Sequence, residues 1–517
     1  MPRLFHPPIM RRPLFLLLLL FPVFSLPMAS GEDRPNLLLI TVDDMSADSI
    51  GAFGSRLADT SPHVDALAAE GLCFDLAHVQ VGNCYPSRNV MWSGRYSHNN
   101  GAEGFYQVKP VDYPVLCDVM QKAGYWVGIR GKVSHSTPYQ PFHWDQDLTI
   151  REDGQKEHIK DVDSYYRSTR KGIEAATKEG KPFCINVNIS DPHKPFWKPG
   201  DTHPASRVFT AEEVPVPGFL PDDPAIREEL ALYYTSVRRA DDCVGAILRA
   251  LEESGEAEET FVMFLSDHGM PLPFAKTQLY HHSTHTPLIV RWPGVTEAGT
   301  RDATHMVSAV DFLPTLCDVV GAAHPKGMDG RSFAPLIQGE SQDGRDAVFK
   351  LYNENSGGNR HPIRAVQTRD YLYLFNPWSD GENRFRTATQ GTVSYKRIQA
   401  LAQEDPAIAA RLDLFDHRVL EEFYHVAEDP DCLVNLAGSE EHRKQLEKHQ
   451  GLLERFMHES GDHALEVFLN RADPAARVAY MEKVTAESEE RRAKRREGNR
   501  KGKNNARKKE KASAKKG

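Results

Sequence analysis

The stretch Asn36-Leu37-Leu38-Leu39-Ile40-Thr41-Val42, followed by Asp43-Asp44, decides the fold of this chain. Largely apolar runs of this length are typical of strands that are buried on both faces, as in parallel sheets covered by helices. The two acidic residues come directly after the strand, at the edge where open α/β sheets bind their ligands. The stretch therefore predicts both an architecture and the position of a site.

The same order of strand, polar cluster and helix returns three more times. Predicted strands at 125–129, 183–189 and 260–265 lead into Gly131-Lys132 with His135 close behind, into Asp191-Pro192-His193, and into Asp267-His268. Predicted helices at 62–70, 113–123, 161–180 and 225–254 alternate with the strands. This alternation predicts an α/β fold with a mostly parallel central sheet flanked by helices.

The chain changes character after Gly339. Short strands at 347–352, 363–367 and 371–375, separated by turns, predict an antiparallel sheet, and a helix is predicted from about 440 to 459 with Ser439 as its N-cap. We therefore predict a main domain at residues 31–342, which carries the polar clusters and is the expected catalytic domain. A smaller C-terminal α+β subdomain is predicted at residues 343–480.

The first 30 residues differ in kind from the rest. Three arginines precede an apolar run at 14–26 that ends in small residues, the pattern of a secretory signal peptide. Pro22 interrupts the run, which is short for a membrane span, so a retained anchor is the weaker interpretation. We predict that residues 1–30 are removed and that the protein is exported to a periplasmic, secreted or lumenal location.

Charge separates the C-terminal end from the body of the chain. Residues 491–517 hold 14 Lys and Arg against two Glu, a net charge of +12; with three N-terminal arginines also set aside, the total of −9 leaves −24 on residues 31–490. We predict a basic, disordered tail at residues 481–517. It is either a solvated end without a partner or a segment that contacts an anionic polysaccharide or surface. No nucleic acid is expected as a partner.

Three carboxylates follow predicted strands, at Asp43, Asp44 and Asp267. Converging carboxylates repel one another unless a cation lies between them, and hard divalent cations take several oxygen ligands. Any one of these residues could equally be a helix cap, but two adjacent acidic residues after a buried strand are harder to explain in that way. The pattern predicts a site for Ca²⁺, with Mg²⁺ as the alternative. His268 as a nitrogen ligand leaves the identity of the metal open.

A second cluster is Cys84-Tyr85-Pro86-Ser87-Arg88. Pro86 suits the first turn of a helix, which places Cys84 just ahead of that helix, near unpaired amides and the positive end of its dipole. A cysteine so placed is often reactive or modified, and inert core packing is the alternative. The residues that could bind a tetrahedral oxyanion share a positive charge or a hydrogen-bonding ring: Arg88, Lys132, Lys276, His135 and His193.

These motifs resemble the formylglycine-dependent sulfatases of the alkaline phosphatase superfamily, over a region from Asn36 to about Ala437. The hallmark of that family is Cys-x-Pro-Ser-Arg with a glycine ten residues after the cysteine, present here from Cys84 to Gly94. Ser93 stands where the family usually has threonine. The resemblance implies that a formylglycine-generating enzyme oxidises Cys84 to Cα-formylglycine during export, and that the aldehyde hydrate is the nucleophile.

The resemblance also implies a role for each remaining candidate. The implied metal ligands are Asp43, Asp44, Cys84, Asp267 and His268. The implied catalytic residues are Cys84, Arg88, Lys132, His135, His193 and Lys276, of which Lys132, His193 and Lys276 also bind substrate. Arg88 and Lys132 would hold the aldehyde hydrate. His193 or Lys276 would protonate the leaving group, and His135 would regenerate the aldehyde.

Finer motifs point to one branch of the family. The segments 267–273 and 276–280 are similar to heparan N-sulfatase (sulfamidase), although Lys276 stands where that enzyme has arginine. The spacing from Lys132 to His135 is more like iduronate-2-sulfatase. The expected reaction is hydrolysis of sulfate esters or N-sulfate groups of a sulfated glycan, as in glycosaminoglycan degradation. The alternatives are a phosphomonoester or phosphodiester hydrolase of the same superfamily, and a non-catalytic pseudoenzyme that binds sulfated glycans.

Overall fold

The structure, a computed structural model, describes the backbone of residues 34–513 and the side chains as far as Arg495. The predicted signal peptide at residues 1–30 lies outside the described residues. No helix within the described part of the chain is both long enough and apolar enough to cross a membrane. The sheets described below belong to one compact unit, which begins at Pro35.

The described residues form fourteen strands, most of which belong to two sheets. The strands are β1 (Asn36–Asp43), β2 (Leu72–Phe74), β3 (Ala77–His78), β4 (Trp126–Arg130), β5 (Gln146–Asp147), β6 (Phe183–Pro192), β7 (Thr260–Ser266), β8 (Leu288–Arg291), β9 (Thr300–Asp302), β10 (Val307–Ser308), β11 (Ala347–Glu354), β12 (Arg360–Thr368), β13 (Leu372–Phe375) and β14 (Glu421–Tyr424). The central sheet has the order β5-β4-β6-β1-β7-β8-β2-β9. Its strands from β5 to β7 are parallel, and β8 runs antiparallel to both of its neighbours.

Helices cover the central sheet and continue into the C-terminal part of the chain. They are α1 (Pro62–Glu70), α2 (Cys84–Ser93), α3 (Ser97–Asn100), α4 (Leu116–Lys122), α5 (Val133–Ser136), α6 (Val162–Glu179), α7 (Pro224–Glu252), α8 (His281–Thr284), α9 (Phe312–Val319), α10 (Ala334–Ile337), α11 (Val393–Leu401), α12 (Pro406–His417), α13 (Arg443–Ser460), α14 (Leu465–Leu469) and α15 (Pro474–Ser513). The longest helix on the sheet, α7, begins as its sequence dictates: Asp223 caps the amide of Ala225, and Pro224 occupies the first turn.

The apolar run at residues 36–42 is part of β1, at the centre of the sheet. All eight of its residues are buried, and it pairs in parallel with β6 on one side and β7 on the other. Leu38, Ile40 and Val42 pack into one hydrophobic cluster and Leu37 and Leu39 into another. Because successive side chains of a strand point to opposite faces, an unbroken apolar run is what a strand covered on both faces requires.

The C-terminal sheet has the order β11-β12-β13-β14, and all of its neighbouring strands are antiparallel. The predicted fold class, a mostly parallel sheet with helices followed by a smaller α+β part with an antiparallel sheet, is therefore confirmed. The predicted boundary at 342/343 falls in the connection between α10 and β11. Helix α13 begins at Arg443 with His442 as its N-cap, so the predicted cap at Ser439 is wrong by one turn.

The C-terminal end differs from its prediction. Residues 481–513, expected to be disordered, continue the helix α15 that begins at Pro474. Val484 and Ser488 are buried, and the Ser488 hydroxyl donates to a carboxylate oxygen of Glu354 at 2.8 Å. The composition of this segment is highly charged and therefore predicted disorder. Composition does not reveal these two contacts, because only one or two residues per turn of a helix need to face the body of the protein. Residues 514–517 of the predicted tail lie outside the described residues.

Candidate active site

The predicted site residues meet at the carboxyl edge of the central sheet because β1 and β7 end side by side. The amide of Asp267 donates to the carbonyl oxygen of Val42 at 3.1 Å, and the amide of Asp44 donates to the Asp267 carboxylate at 3.1 Å. Asp44 has a φ of 68°, in the left-handed region that non-glycine residues seldom adopt. Such strained backbone is typical of positions where a side chain is held for function.

The guanidinium of Arg88 is fully buried and ties α2 to these strand ends. Its Nε and Nη2 both contact one oxygen of Asp267, at 3.0 and 2.9 Å, and Nη2 lies 3.9 Å from a carboxylate oxygen of Asp43. Its Nη1 donates to the side-chain oxygen of Asn188 on β6. A planar guanidinium with several charge-assisted contacts fixes the relative positions of the groups around it.

Cys84 is the first residue of α2, with Asn83 as its N-cap, so the prediction that it lies just ahead of the helix is wrong by one residue. Its sulfur lies 3.3 Å from Nε2 of His268, and the residue is only 3% exposed. Burial, together with the carboxylate of Asp43, raises the pKa of the Cys84 thiol well above its ordinary value. The unmodified thiol is therefore a poor nucleophile near neutral pH.

Two lysines balance the paired carboxylates. Nζ of Lys132 contacts Asp43, and Nζ of Lys276 lies 2.6 and 2.8 Å from the two oxygens of Asp44. Burial alone would lower the pKa of each ammonium group, but the carboxylates outweigh it and raise both pKa values. Burial likewise works against ionisation of Asp43 and Asp44, yet the neighbouring cations hold the pKa of both below the ordinary value. All four groups are therefore ionised near neutral pH.

His135 lies in α5 against aromatic rings. Its ring centre is 5.8 Å from that of Tyr85 and 6.1 Å from that of Phe105, both at nearly right angles. Burial, with the charges of Lys132 and Arg88, lowers the pKa of His135 to about 4. The imidazole is thus neutral near neutral pH and can accept a proton.

His193 follows β6, and its backbone and neighbours orient its ring. Nδ1 donates to the carbonyl oxygen of Lys194 at 2.7 Å, so Nε2 is the nitrogen left for chemistry. Nζ of Lys160 donates to the carbonyl oxygen of His193 at 2.8 Å and lies 2.5 Å from Asp191. Arg239 pairs with the other oxygen of Asp191 at 2.6 Å. This buried network anchors the segment that carries His193.

Among the described residues, two groups of side chains bring their ligand atoms within 4.8 Å of one another, as a metal ion requires. The fully buried group lies at this site and consists of Asp43, Asp44, Cys84 and His268, whereas the other, His63, Asp241 and Asp242, is partly exposed. Both carboxylate oxygens of Asp43 are buried and accept no hydrogen bond of normal geometry from the described residues. Oxygen atoms with free lone pairs beside a second carboxylate fit a hard divalent cation. Asp267 is not part of this group, and its oxygens accept from Arg88 and from the amide of Asp44. Its role as a metal ligand stays a prediction.

Asn188 is a site residue that the sequence motifs did not reveal. Its side-chain oxygen accepts from Arg88, and its Nδ2 donates to the carbonyl oxygen of Gly131 at 3.1 Å. It therefore connects α2 to the loop that carries Lys132. The available signal was a polar side chain near the end of a largely apolar strand, where Asn188 is 2% exposed.

The comparisons with known proteins agree with this geometry. A family model described as "Sulfatase" matches residues 35–322, and a second, described as "N-sulphoglucosamine sulphohydrolase, C-terminal", matches residues 267–382. N-sulphoglucosamine sulphohydrolase of Homo sapiens is 28% identical over 496 residues, which cover 83% of this chain and 91% of that protein. The predicted resemblance to N-sulfatases is therefore confirmed.

Solved structures share the fold. A structure in complex with D-glucosamine-2-N,6-O-disulfate has a TM-score of 0.60 at 20% identity, covering 83% of this chain and 99% of that chain. The phosphonate monoester hydrolase of Agrobacterium radiobacter has a TM-score of 0.57 at 19% identity, covering 83% of this chain and 96% of that chain. At such identities the likeness shows the fold alone. The family model spans more than half of the residues, and this chain belongs to the sulfatase family.

Proposed function

We propose that this chain hydrolyses sulfate esters or N-sulfate groups of a sulfated glycan. The observation that carries the proposal is the buried cluster in which Cys84 meets Asp43, Asp44 and His268 beside three cations. Such a site stabilises the charge that develops on a tetrahedral oxyanion during displacement. The names of the human relative and of the sugar in the structural neighbour support a sulfated amino sugar as the substrate class.

The donor set fits a Ca²⁺ ion, with Mg²⁺ as the alternative, between Asp43, Asp44 and His268. We place Asp267 and the converted side chain of residue 84 in the same ligand set. Conversion of Cys84 to Cα-formylglycine by a formylglycine-generating enzyme completes the site. When present, the cation supplies a Lewis acid and the formylglycine supplies an aldehyde hydrate in place of a weakly acidic thiol.

The protein's cations prepare the site for an anion. Arg88 and Lys132 place two positive charges beside residue 84, and Lys276 adds a third on the side of Asp44. These charges are held by buried carboxylates before any substrate arrives, so little reorganisation accompanies binding. Lys132, Lys276 and His193 are the groups that bind the sulfate oxygens in this proposal.

Two imidazoles handle protons. As the doubly protonated imidazolium, His193 donates the proton on Nε2 to the leaving oxygen or nitrogen atom and becomes neutral, while its Nδ1–H stays bonded to the carbonyl oxygen of Lys194. The raised pKa of Lys276 makes its ammonium group a weaker acid, which favours His193 for this role. His135, neutral near neutral pH, accepts the proton that must leave residue 84 as sulfate is expelled.

The test compares Cys84→Ser with the matched control Cys73→Ala, at a second buried cysteine outside the site. Cys84→Ser should lose sulfate release from N- and O-sulfated disaccharides while keeping the unfolding midpoint of the parent. Cys73→Ala should keep its turnover. Peptide mass spectrometry of the parent should show the aldehyde at residue 84. Sulfate release by Cys84→Ser at the rate of the parent would contradict the proposal.

A phosphate or phosphonate ester hydrolase is the competing outcome, because phosphate has the same shape and the fold is shared with a phosphonate monoester hydrolase. Paired aryl esters decide between the two. The proposal expects a higher kcat/KM for 4-nitrophenyl sulfate than for 4-nitrophenyl phosphate or phenylphosphonate. A higher kcat/KM for the phosphorus esters would identify these esters, and not sulfate esters, as the substrate class. Binding of sulfated sugars without turnover of any ester would identify a pseudoenzyme.

The remaining proposals concern the cellular location of the protein and the roles of its main domain and C-terminal segment. Export to a periplasmic, secreted or lumenal space follows from the signal-peptide pattern at residues 1–30, which cell fractionation of a full-length tagged protein would test. Residues 31–342 are proposed as the catalytic domain, because every candidate site residue lies within them. The basic C-terminal segment is proposed to contact an anionic polysaccharide or surface.

A further inference from the structure

Helix α15 is fastened to the body of the protein along successive turns. Val484 is buried, and Ser488 donates its hydroxyl to Glu354 at 2.8 Å and to the carbonyl oxygen of Gly358 at 3.2 Å. One turn later Nη1 of Arg492 lies 3.5 Å from the same carbonyl oxygen. The spacing of four residues keeps one face of the helix against the connection between β11 and β12. The helix therefore has a defined course over the surface.

That course leads to aromatic side chains beside Cys84. The guanidinium carbon of Arg495 lies 5.1 Å from the ring centre of Tyr106, a cation–π contact. The next residue back, Phe105, stacks on Tyr85 with ring centres 6.3 Å apart, and Tyr85 directly follows Cys84. Three aromatic residues, Tyr106, Phe105 and Tyr85, thus connect Arg495 on α15 to residue 84.

The charge of Arg495 is available to a ligand, since its side chain is exposed and no carboxylate among the described residues pairs with it. The two arginines before it are less accessible: Nε and Nη2 of Arg491 are buried without a hydrogen-bond partner among the described residues, its Nη1 is 3.9 Å from Glu487, and Arg492 contacts Gly358. Residues 491–517 together carry a net charge of +12. A segment of such charge attracts a polyanion.

The charge of the rest of the molecule shows why a basic segment would matter for binding. Residues 31–490 carry a net charge of −24, which repels an extended polyanion such as a sulfated chain. One sulfate group needs only the cations around Cys84, whereas its unreacted neighbours along a glycan need positive charge outside the site. On this molecule the basic segment begins at Arg491, and Arg495 brings its charge against Tyr106.

We infer that the basic turn of α15 that ends at Arg495 binds the non-reacting part of a sulfated oligosaccharide or polysaccharide whose end enters the site at Cys84. The inference rests on the proposed function and deepens it: the substrate is a multiply sulfated chain rather than a single sulfated sugar. A sulfated glycan is favoured over a nucleic acid because the same chemical group is then recognised at Cys84 and along the helix.

The experiment uses the full-length protein and the variant Arg491→Gln/Arg492→Gln/Arg495→Gln. The matched control, Arg443→Gln/Lys444→Gln/Lys448→Gln, removes the same three charges from exposed positions of α13. Turnover is measured on 4-nitrocatechol sulfate and on heparin-derived disaccharide, tetrasaccharide and octasaccharide, at low and at physiological salt. Binding of fluorescent dextran sulfate is measured in parallel, with single-stranded DNA as a second polyanion.

The α15 variant should keep its kcat/KM on 4-nitrocatechol sulfate and lose roughly tenfold on the octasaccharide at low salt, through KM. Its dextran sulfate affinity should fall by a similar factor, with a weaker dependence on salt. The control should match the parent in both assays. An equal octasaccharide KM in the parent and both variants overturns the inference. So does DNA that binds the parent as tightly as dextran sulfate.

Failure of the proposed function is distinguishable from failure of this inference. If the parent releases sulfate from none of the substrates, the proposed function fails and the dextran sulfate binding still decides the role of α15. If the parent is active on the small ester and the α15 variant binds dextran sulfate as the parent does, the function stands and the inference falls.

Discussion

Lys276 at the active site and Lys350 on β11 are both buried, with 7% and 0% of their surface exposed. Lys276 lies against the carboxylate of Asp44, whereas Lys350 donates to the side-chain oxygen of Gln367. Burial lowers the pKa of Lys350 to about 7, while for Lys276 the Asp44 carboxylate outweighs burial and raises the pKa. The same side chain is a permanent charge in one place and a titrating amine in the other.

The difference teaches what distinguishes a site from a packed polar core. Around Lys350 lie His78 and His281, whose pKa values burial lowers well below the ordinary value, and both rings contact Gln367. No described carboxylate forms an ion pair with Lys350, so the group avoids the penalty of a buried charge by losing its proton. At the active site the charges are retained by counter-charges, and retained charge is what an oxyanion needs.

The largest expected effect contrasts one substitution at the two places. Lys276→Met should lower kcat/KM for a sulfate ester by about 10²–10³-fold, because a preorganised charge is removed from the site. Lys350→Met, the same change of side chain, should leave kcat/KM within about twofold. Sulfate release by both purified variants is the measurement. Equal losses would show that the two clusters are not functionally different.

The next effect concerns His135, which couples the active-site charges to pH. Its pKa of about 4 keeps the imidazole neutral at higher pH, so kcat should fall as pH drops through about 4. His135→Gln should lower kcat by about 10²-fold or more and should flatten this acid limb. A pH–rate profile of kcat from pH 3 to 8 tests both. An acid limb that persists in the variant would assign it to another group.

A smaller effect is expected in stability, at Lys350. The unfolded chain binds a proton at this lysine up to a pKa near 10.5, the folded chain only up to about 7. Between these values the unfolded state holds more protons, so stability should rise with pH by up to about 1.4 kcal/mol per pH unit from this group. Urea unfolding at pH 7, 8 and 9 should show this slope reduced in Lys350→Met. Parallel slopes would rule out a depressed pKa.

The smallest effect sharpens the comparison within the Lys350 cluster. Gln367→Leu removes the acceptor of Lys350 and the donor to His281, and should destabilise the fold by about 1–3 kcal/mol. Adding Lys350→Met should restore part of the loss, since the amine then no longer lacks a partner. Denaturant unfolding of the two single variants and the double variant measures the coupling. Strict additivity would mean that the two side chains do not depend on each other.

The strands could be predicted because burial on both faces leaves an unbroken apolar pattern. β1, β6 and β7 were found in this way, and the acidic and histidine residues that follow them were recognised by position. The contacts between these residues could not be predicted. Arg88 and Asp267 are 179 residues apart and Arg88 and Asn188 are 100 apart, so only the folded sheet brings them together.

Charge and context misled the sequence reasoning elsewhere. Lys350 was not singled out, because a lysine is mostly found at exposed positions and nothing local shows that β11 is covered at that point. The basic run after residue 490 suggested disorder because its composition cannot form a core. The helix is held by contacts of Ser488 to Glu354 and Gly358, which lie more than 100 residues earlier in the chain. Contacts between such distant residues cannot be predicted from local sequence.

The burial of Cys84 also sets an order of events. A side chain that is 3% exposed, at the first residue of α2 and against His268, is out of reach of another enzyme once the sheet has formed. His268 and Asp267 follow Cys84 by more than 180 residues, so the enclosure closes only after that length of chain has been made. Any enzyme that oxidises the thiol must act within this interval. The yield of active protein then depends on the rate of Cys84 oxidation relative to the rate of folding. A variant that folds faster would contain less of the oxidised residue and would be less active.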